Sequence, residues 1–391
     1  MAKKGVKQLK GDENKEEKED LSLAKIDQPD NLRHAGDCSE PSSLIHQLGR
    51  DLSINCLIHC SRFDHGVIAS LNSWFHSVIK SGELYRRRRE GGIAEHWVYF
   101  SCNLSVWEAF DPIYGRLMRL PKINCSDCFM FSDKESLAVG TELLVFGRDI
   151  MSNAICKYSV VTRSWTSGAL MNTPRCLFGS ASLGEIGIVG GGCDPLGNVL
   201  DSAELYNSET GEWMTIPSMN KARKMCSAVF MDGKFYIIGG TGVGKLEKLT
   251  CGEVYDLKTK TWQLIPNMYR IRNEGDGETA ASSSMEAPPL VGVVNNQLYL
   301  ADHALKVVKK YDKEENRWET VGPLPERATS MNGWGMAFRA CGELLIIITG
   351  QSDEGVIEIY SWAPWDGPVK WDLLVRKPSC SFVYNCAVMG C

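Results

Sequence analysis

The sequence predicts a mainly β chain built around a six-bladed β-propeller, preceded by a small helical unit and a charged arm. Three observations carry this expectation. An aromatic–Trp pair recurs about every 49 residues, apolar runs keep register with it, and the hydrophobic period changes from helical to strand-like near residue 96.

Taken in order, residues 1–42 hold 8 Lys/Arg and 10 Asp/Glu, and the first aromatic of the chain is Phe63. Such a segment cannot bury enough apolar area to offset its ordering entropy, which predicts a disordered arm. Over 43–90 the period is helical. Leu48, Leu52, Cys56 and Cys60 recur every four residues, and Val67, Ile68, Leu71, Phe75, Val78 and Ile79 continue the stripe. Asp51 and Asp64 stand where N-caps are expected. A unit of this size is too short for a large core of its own, so its apolar surface needs completing by a partner.

From 97 to 391 the texture is short β runs broken by Gly, Pro and Asn. An aromatic followed seven residues later by Trp occurs at Tyr158/Trp165, Tyr206/Trp213, Tyr255/Trp262 and Tyr311/Trp318. Phe110/Leu117 is a degenerate copy and Tyr360/Trp371 a stretched one. The first aromatics step by 48, 48, 49, 56 and 49, and the long step contains a polar insertion around 273–286. Ahead of them stand apolar runs ending at Gly192, Gly240 and Gly350, with a weaker run ending at Gly147 and a glycine-less one ending at Asp302. A period near 50 with several strands per unit matches a kelch-type propeller, whose blades cannot bury their faces alone. The 295 residues from 97 onward make six blades of about 49. The first unit lacks an innermost strand, so the unassigned run near the C-terminal end, 381–390, is expected to complete it and close the ring.

Composition excludes several classes. Lys plus Arg is 43 against 48 Asp plus Glu, a balance that argues against nucleic-acid binding through overall charge. The longest strongly apolar stretch, 344–348, is far shorter than a bilayer requires. The opening residues lack the apolar segment of a secretory signal, and neither end carries a lipidation motif. Fifteen cysteines in such a chain read as reduced thiols, in the cytoplasm, the nucleus or both. The run at 239–246 fits G-x4-G-K but ends in Leu246 where Mg²⁺ binding needs Ser or Thr, so no nucleotide site is expected. Cys125 and Cys128 form a lone CxxC, and Cys56, His59 and Cys60 share one helix. Neither set supplies four compatible ligands, so no metal is expected. The basic run 86–89 reads as a solvated helix end, with a nuclear signal as the alternative. Only His96 and His303 fall within the propeller and no catalytic constellation stands out. Hence neither catalysis nor a cofactor is expected.

The helical unit resembles an F-box in Leu48, Asp51, Leu52, Cys56, Leu57, Trp74 and the pair Leu84 and Tyr85. Gly49 departs from it where Pro is usual, as do Asn72 and Ser73 where Ser-Arg often precedes the Trp. Followed by the kelch units, it resembles the plant F-box/kelch-repeat proteins over 43–391. The resemblance implies the substrate receptor of a Skp–cullin–F-box ubiquitin ligase, a non-catalytic subunit. Its F-box would bind a Skp family adaptor, and through it a cullin, while the propeller holds a target protein. Residues carried onto the adaptor interface are Leu48, Leu52, Ile54, Leu57, Ile58, Leu71 and Trp74, some of which must instead pack the helical unit.

For the target, MNTPRCLFG and MNKARKMCS place Arg175 and Arg223 in register, 48 apart, with Arg272 and Arg327 in comparable linkers. In kelch receptors such arginines line the channel mouth and would suit an acidic degron. The alternative is that they bond inter-blade carbonyls or face solvent. Trp334 is a candidate aromatic anchor, with packing inside a blade as its alternative. Two other readings stay open: a kelch interaction scaffold without a ligase role, and a propeller metallo-oxidase.

Overall fold

The structure, a computed structural model, describes residues 45, 48–103, 106–123, 130–148, 153–244, 247–269, 286–351, 355–379 and 381–391. The expected arm at 1–42, and the 273–286 loop apart from Glu286, lie outside the described residues. Six four-stranded antiparallel sheets follow the helices. Blade one joins β1 (His96–Asn103), β2 (Val106–Asp111) and β3 (Arg116–Arg119) to the last strand of the chain, β24 (Asn385–Gly390). Blade two is β4 (Met130–Val139), β5 (Glu142–Arg148), β6 (Asn153–Ser159) and β7 (Ser164–Ser167). Blade three is β8 (Gly179–Leu183), β9 (Ile186–Gly190), β10 (Ala203–Asn207) and β11 (Glu212–Ile216). Blade four is β12 (Ser227–Met231), β13 (Lys234–Ile238), β14 (Gly252–Asp256) and β15 (Thr261–Ile265). Blade five is β16 (Val291–Val294), β17 (Gln297–Asp302), β18 (Val307–Asp312) and β19 (Arg317–Pro323). Blade six is β20 (Ala337–Cys341), β21 (Leu344–Gln351), β22 (Val356–Trp362) and β23 (Asp372–Pro378). The ring closes as the sequence predicts: β24 is the innermost strand of blade one, paired to β1 from His96↔Gly390 through Ser101↔Asn385.

The seven-residue spacing has a simple geometric cause. Across the outer hairpin of each regular blade the two aromatics fall directly opposite, as Tyr158↔Trp165, Tyr206↔Trp213, Tyr255↔Trp262 and Tyr311↔Trp318. Their ring centroids lie 5.0–5.3 Å apart. Each indole N–H then donates to a carbonyl of the preceding blade's exit: Pro121 for Trp165, Ala169 for Trp213, Pro217 for Trp262 and Met268 for Trp318, at 2.6–2.9 Å. The repeat therefore specifies inter-blade stitches as well as packing. In blade six a register shift at Ile359/Tyr360 pairs Tyr360 with Leu373 instead. Trp371 still donates to Pro323 at 2.9 Å, and its ring packs on Trp362.

Ahead of the propeller stand α1 (Arg50–Leu57), α2 (His65–Leu71), α3 (Ser73–Lys80) and α4 (Glu83–Glu90). Their core is Ile54, Leu57, Val78, Ile79 and Leu84. The expected caps are corrected. Gly49 precedes α1, placing Asp51 in its first turn, and Asp64 precedes α2 without a side-chain cap bond. Asn72 is the side chain that caps a helix: its Oδ1 accepts from the amides of Trp74 (3.0 Å) and Phe75 (2.9 Å) at the start of α3.

The helices complete part of their apolar surface intramolecularly. Tyr85 enters a cluster with Trp97, Tyr99 and Trp107 of blade one. Arg62, buried, donates to Tyr99 Oη at 2.5 Å and lies 4.7 Å from the Trp97 ring. Arg88, only 2% exposed, pairs with Glu95 at 3.0 Å and donates to the Cys60 carbonyl at 2.6 Å. Arg89 pairs with Glu185 of blade three. The basic run 86–89 is thus no uniformly solvated helix end: two of its four arginines fasten α4 to the rest of the molecule. These contacts, with Gly66 against Arg163, fall on one face of the ring, where first strands turn into second and third into fourth. The opposite face carries the loops between second and third strands and the linkers between blades.

Cys156 is disulfide-bonded, which corrects the expectation of a reduced thiol at that position. The other ten described cysteines are free.

Trp262→Phe keeps an aromatic ring opposite Tyr255 but removes the donor to Pro217 and part of the indole's packing area. Urea denaturation is expected to show a loss of about 1 kcal/mol.

Candidate functional site

Two surfaces come into question, one on the helices and one on the loop-bearing face of the ring. On the helices, Leu52, Val67, Leu71 and Trp74 stand in solvent, Leu52 58% and Leu71 66% exposed. Exposure of large apolar side chains on a unit whose interior is filled marks an interaction surface. Leu48 and Ile58 are partly covered, and Ile58 packs against the helical core. Ile54 and Leu57 are buried in that core, so the expectation of direct adaptor contact is corrected for both. Their stripe faces inward because α3 and α4 cover it. Val67 was missed, although it sits four residues before Leu71 on α2.

On the ring, the arginine expectation is corrected at Arg175 and Arg223. Both are buried, and each pairs with a buried carboxylate: Arg175 with Glu204 at 2.8 Å, Arg223 with Glu253 at 2.6 Å. Arg175 also donates to the carbonyls of Gly191 (3.0 Å) and Ser202 (2.7 Å), and Arg223 to those of Gly239 (2.9 Å) and Cys251 (3.2 Å). The carboxylates in turn accept linker amides, Glu204 from Asn172 and Thr173, Glu253 from Asn220 and Lys221. These arginines staple each incoming linker to its own blade, so they neither bond inter-blade carbonyls nor face solvent. The signal that finds their partners is a Glu two residues before the repeat aromatic, present at Glu204, Glu253 and Glu358. Arg327 lies 3.7 Å from Glu358 and is 51% exposed, so it keeps a solvent-facing guanidinium. Arg272 lies outside the described residues. Trp334 is half-buried in a tight turn bridged to Met331.

Among the described residues, Arg339, which no repeat register pointed to, lines the central channel. It donates to the Cys386 carbonyl at 3.2 Å, and the channel around it encloses about 230 Å³. A second cavity of about 400 Å³ opens between blades four and five, with Thr241, Lys248, Glu286, Asp302 and His303 supplying its polar groups. His303 (3.5 Å) and Lys248 (2.6 Å) hold the Glu286 carboxyl down to about 2. Among the described residues, no three His, Cys, Asp or Glu side chains are grouped to hold a metal ion. Residues 239–244 of the glycine-rich run form the loop between β13 and β14, followed by a strand instead of a helix.

A helical unit of this size fixed to a six-bladed ring defines a class of two-part interaction proteins. The Kelch motif family model matches residues 174–220 and 222–269, within blades three and four. The F-box/kelch-repeat protein SKIP11 of Arabidopsis thaliana is 63% identical over 362 residues, covering 92% of this chain and 77% of its own length. Two further F-box/kelch-repeat proteins of Arabidopsis thaliana are 58% and 56% identical, covering 95% and 91% of this chain and 84% and 85% of theirs. The chain belongs to the F-box/kelch-repeat family.

Arg223→Ala leaves Glu253 buried without its partner, and urea denaturation is expected to show a loss of about 3–5 kcal/mol. Arg327→Ala, at an exposed and longer contact, is expected to cost less than about 1 kcal/mol.

His65 gives a pH test. It is buried, and Arg88 donates to its Nε2 at 3.4 Å, which leaves Nδ1–H to donate to Tyr85 Oη at 3.1 Å. Burial, with the Arg88 and Arg62 cations beside it, pushes its pKa down to about 3. As pH falls from 6.5, the usual value, towards 3, the unfolded chain takes up a proton that the folded one refuses. Stability is therefore lost across that window. In His65→Gln the urea midpoint is expected to depend less on pH there than in the parent, and equal slopes would show that His65 does not contribute.

Proposed function

We propose that this protein is the substrate-recognition subunit of a Skp–cullin–F-box ubiquitin ligase. In this reading the helical unit binds a Skp family adaptor, and through it a cullin, while the propeller binds a target protein for ubiquitination. The observation that carries the reading is the set Leu52, Val67, Leu71 and Trp74. These side chains stay in solvent although the helical core is filled and α4 is fastened to the ring. An apolar helical partner surface would bury them, each contributing roughly 1.5–3 kcal/mol on full burial. The subunit itself is non-catalytic in this reading and acts by holding the target near the ligase, in the cytoplasm, the nucleus or both.

The docking of the helices leaves the loop-bearing face to the target. The cavity between blades four and five offers that face a mixed-charge recess.

The test is a pull-down of the full chain with a Skp family adaptor, beside Leu52→Asp/Leu71→Asp, whose substitutions avoid the buried core. Adaptor capture by the parent and its loss in a variant with unchanged circular dichroism are the expected results. Failure of the folded parent to bind would leave the propeller as an interaction scaffold without a ligase role.

A further inference from the structure

Cys176 and Cys193 lie on the loop-bearing face of blade three, their sulfurs 3.5 Å apart. Cys176 sits in the linker into the blade and Cys193 in the loop after β9. The two form an isolated antiparallel bridge closed at both ends, Cys176 N–H to the Cys193 carbonyl at 3.0 Å and Cys193 N–H to the Cys176 carbonyl at 2.8 Å. In a pair with both of these bonds the Cα atoms stand about 5.5 Å apart, within the range a disulfide spans. Gly192 allows this approach: a Cβ there would meet the Cys176 carbonyl oxygen at 2.5 Å. Both cysteines are free thiols, and Cys176 is partly exposed.

The neighbouring blade supplies an internal control. Forty-eight residues on, Lys224 and Thr241 form the same bridge with the same two hydrogen bonds, at 3.0 and 2.7 Å. Gly240 there makes the corresponding close approach, to the Lys224 carbonyl. The backbone therefore builds this bridge without sulfur, and packing does not account for two facing thiols.

We propose that Cys176 and Cys193 are a reversible redox-modification site, oxidised by a peroxide to an intramolecular disulfide that ties the linker of blade three to its second loop. The inference stands apart from the ligase reading. The S–H of Cys176 and the Lys224 ammonium favour the thiolate of Cys193, against its burial and the Asp194 carboxylate. That thiolate attacks one oxygen of hydrogen peroxide, the O–O bond breaks, hydroxide leaves and Cys193 becomes a sulfenic acid. Cys176 then attacks the Cys193 sulfur; its proton neutralises the hydroxide from the first step, and the sulfenic OH departs as hydroxide and takes up the proton that Cys193 released on forming its thiolate. Two thiols lose two electrons and two protons, peroxide becomes two waters, and a dithiol reductant reverses the change by two exchange steps.

The test treats the reduced full chain with graded hydrogen peroxide, blocks remaining thiols with N-ethylmaleimide and maps the digest by mass spectrometry. The expected product is a Cys176–Cys193 cross-linked peptide lighter by two hydrogens, formed at lower peroxide than any change at Cys226 or Cys251 and abolished by dithiothreitol. In urea, where the fold no longer holds the sulfurs together, its formation is expected to slow by about tenfold or more. Cys176→Lys/Cys193→Thr copies the bridge of the next blade, and it is expected to fold and to lack the peptide. Maleimide labelling of both cysteines at peroxide levels that oxidise the others would overturn the proposal. So would separate sulfinic acids without the cross-link, or equal cross-linking rates in native and urea-unfolded protein.

Discussion

A propeller is a row of blades that each need a neighbour, and a row has two unsatisfied ends. Here the constraint is met by the ladder between Asn385–Gly390 and His96–Asn103, which makes strands from opposite ends of the β region one sheet. The same ladder continues into Glu95, whose amide and carbonyl exchange hydrogen bonds with Cys391 at 3.1 Å. Glu95 is also the carboxylate that receives Arg88 and the Arg62 amide. Ring closure and part of the helix docking therefore share one joint.

Within the ring, two kinds of polar contact hold successive elements in place. Indole donors reach back to the exit of the preceding blade, and the Arg175–Glu204 and Arg223–Glu253 pairs hold the incoming linkers of blades three and four. A buried guanidinium is tolerated in these pairs because a carboxylate and several backbone carbonyls receive its donors. Burial against these partners removes both arginines from a recognition role at the surface. Blade five departs from the pattern, with Lys309 two residues before its aromatic and paired to Asp302 at 3.0 Å. The charge at this position is reversed while a buried pair is kept.

The helical unit has two unlike outer sides around its filled core. One side is finished by the propeller through Tyr85, Arg62 and Arg88. The other leaves Leu52, Val67, Leu71 and Trp74 in solvent. The docked side fixes how an adaptor held by the helices would be oriented towards whatever the loop-bearing face holds. That orientation rests on charged and aromatic side chains from α4 and blade one, which helical periodicity alone does not single out.

The sequence by itself determined the architecture, because the repeat is written in residues whose role is local. A Tyr and a Trp seven apart face each other across a short hairpin in four units, and six repeat units with one strand missing at the start require the last strand to return. It also determined where helices give way to strands. The tertiary structure decided which members of each pattern are exposed. Leu52 and Leu57 share one helical stripe, and Arg175 and Arg327 occupy comparable linkers, yet one of each pair is buried and the other exposed. Burial depends on which distant segment covers a side chain, and neither spacing nor composition records it. The fate of Arg175 was settled by Glu204, which lies beyond two strands and a loop. The meeting of Cys176 with Cys193 was settled in the same way, by a linker folding back onto the loop of its own blade.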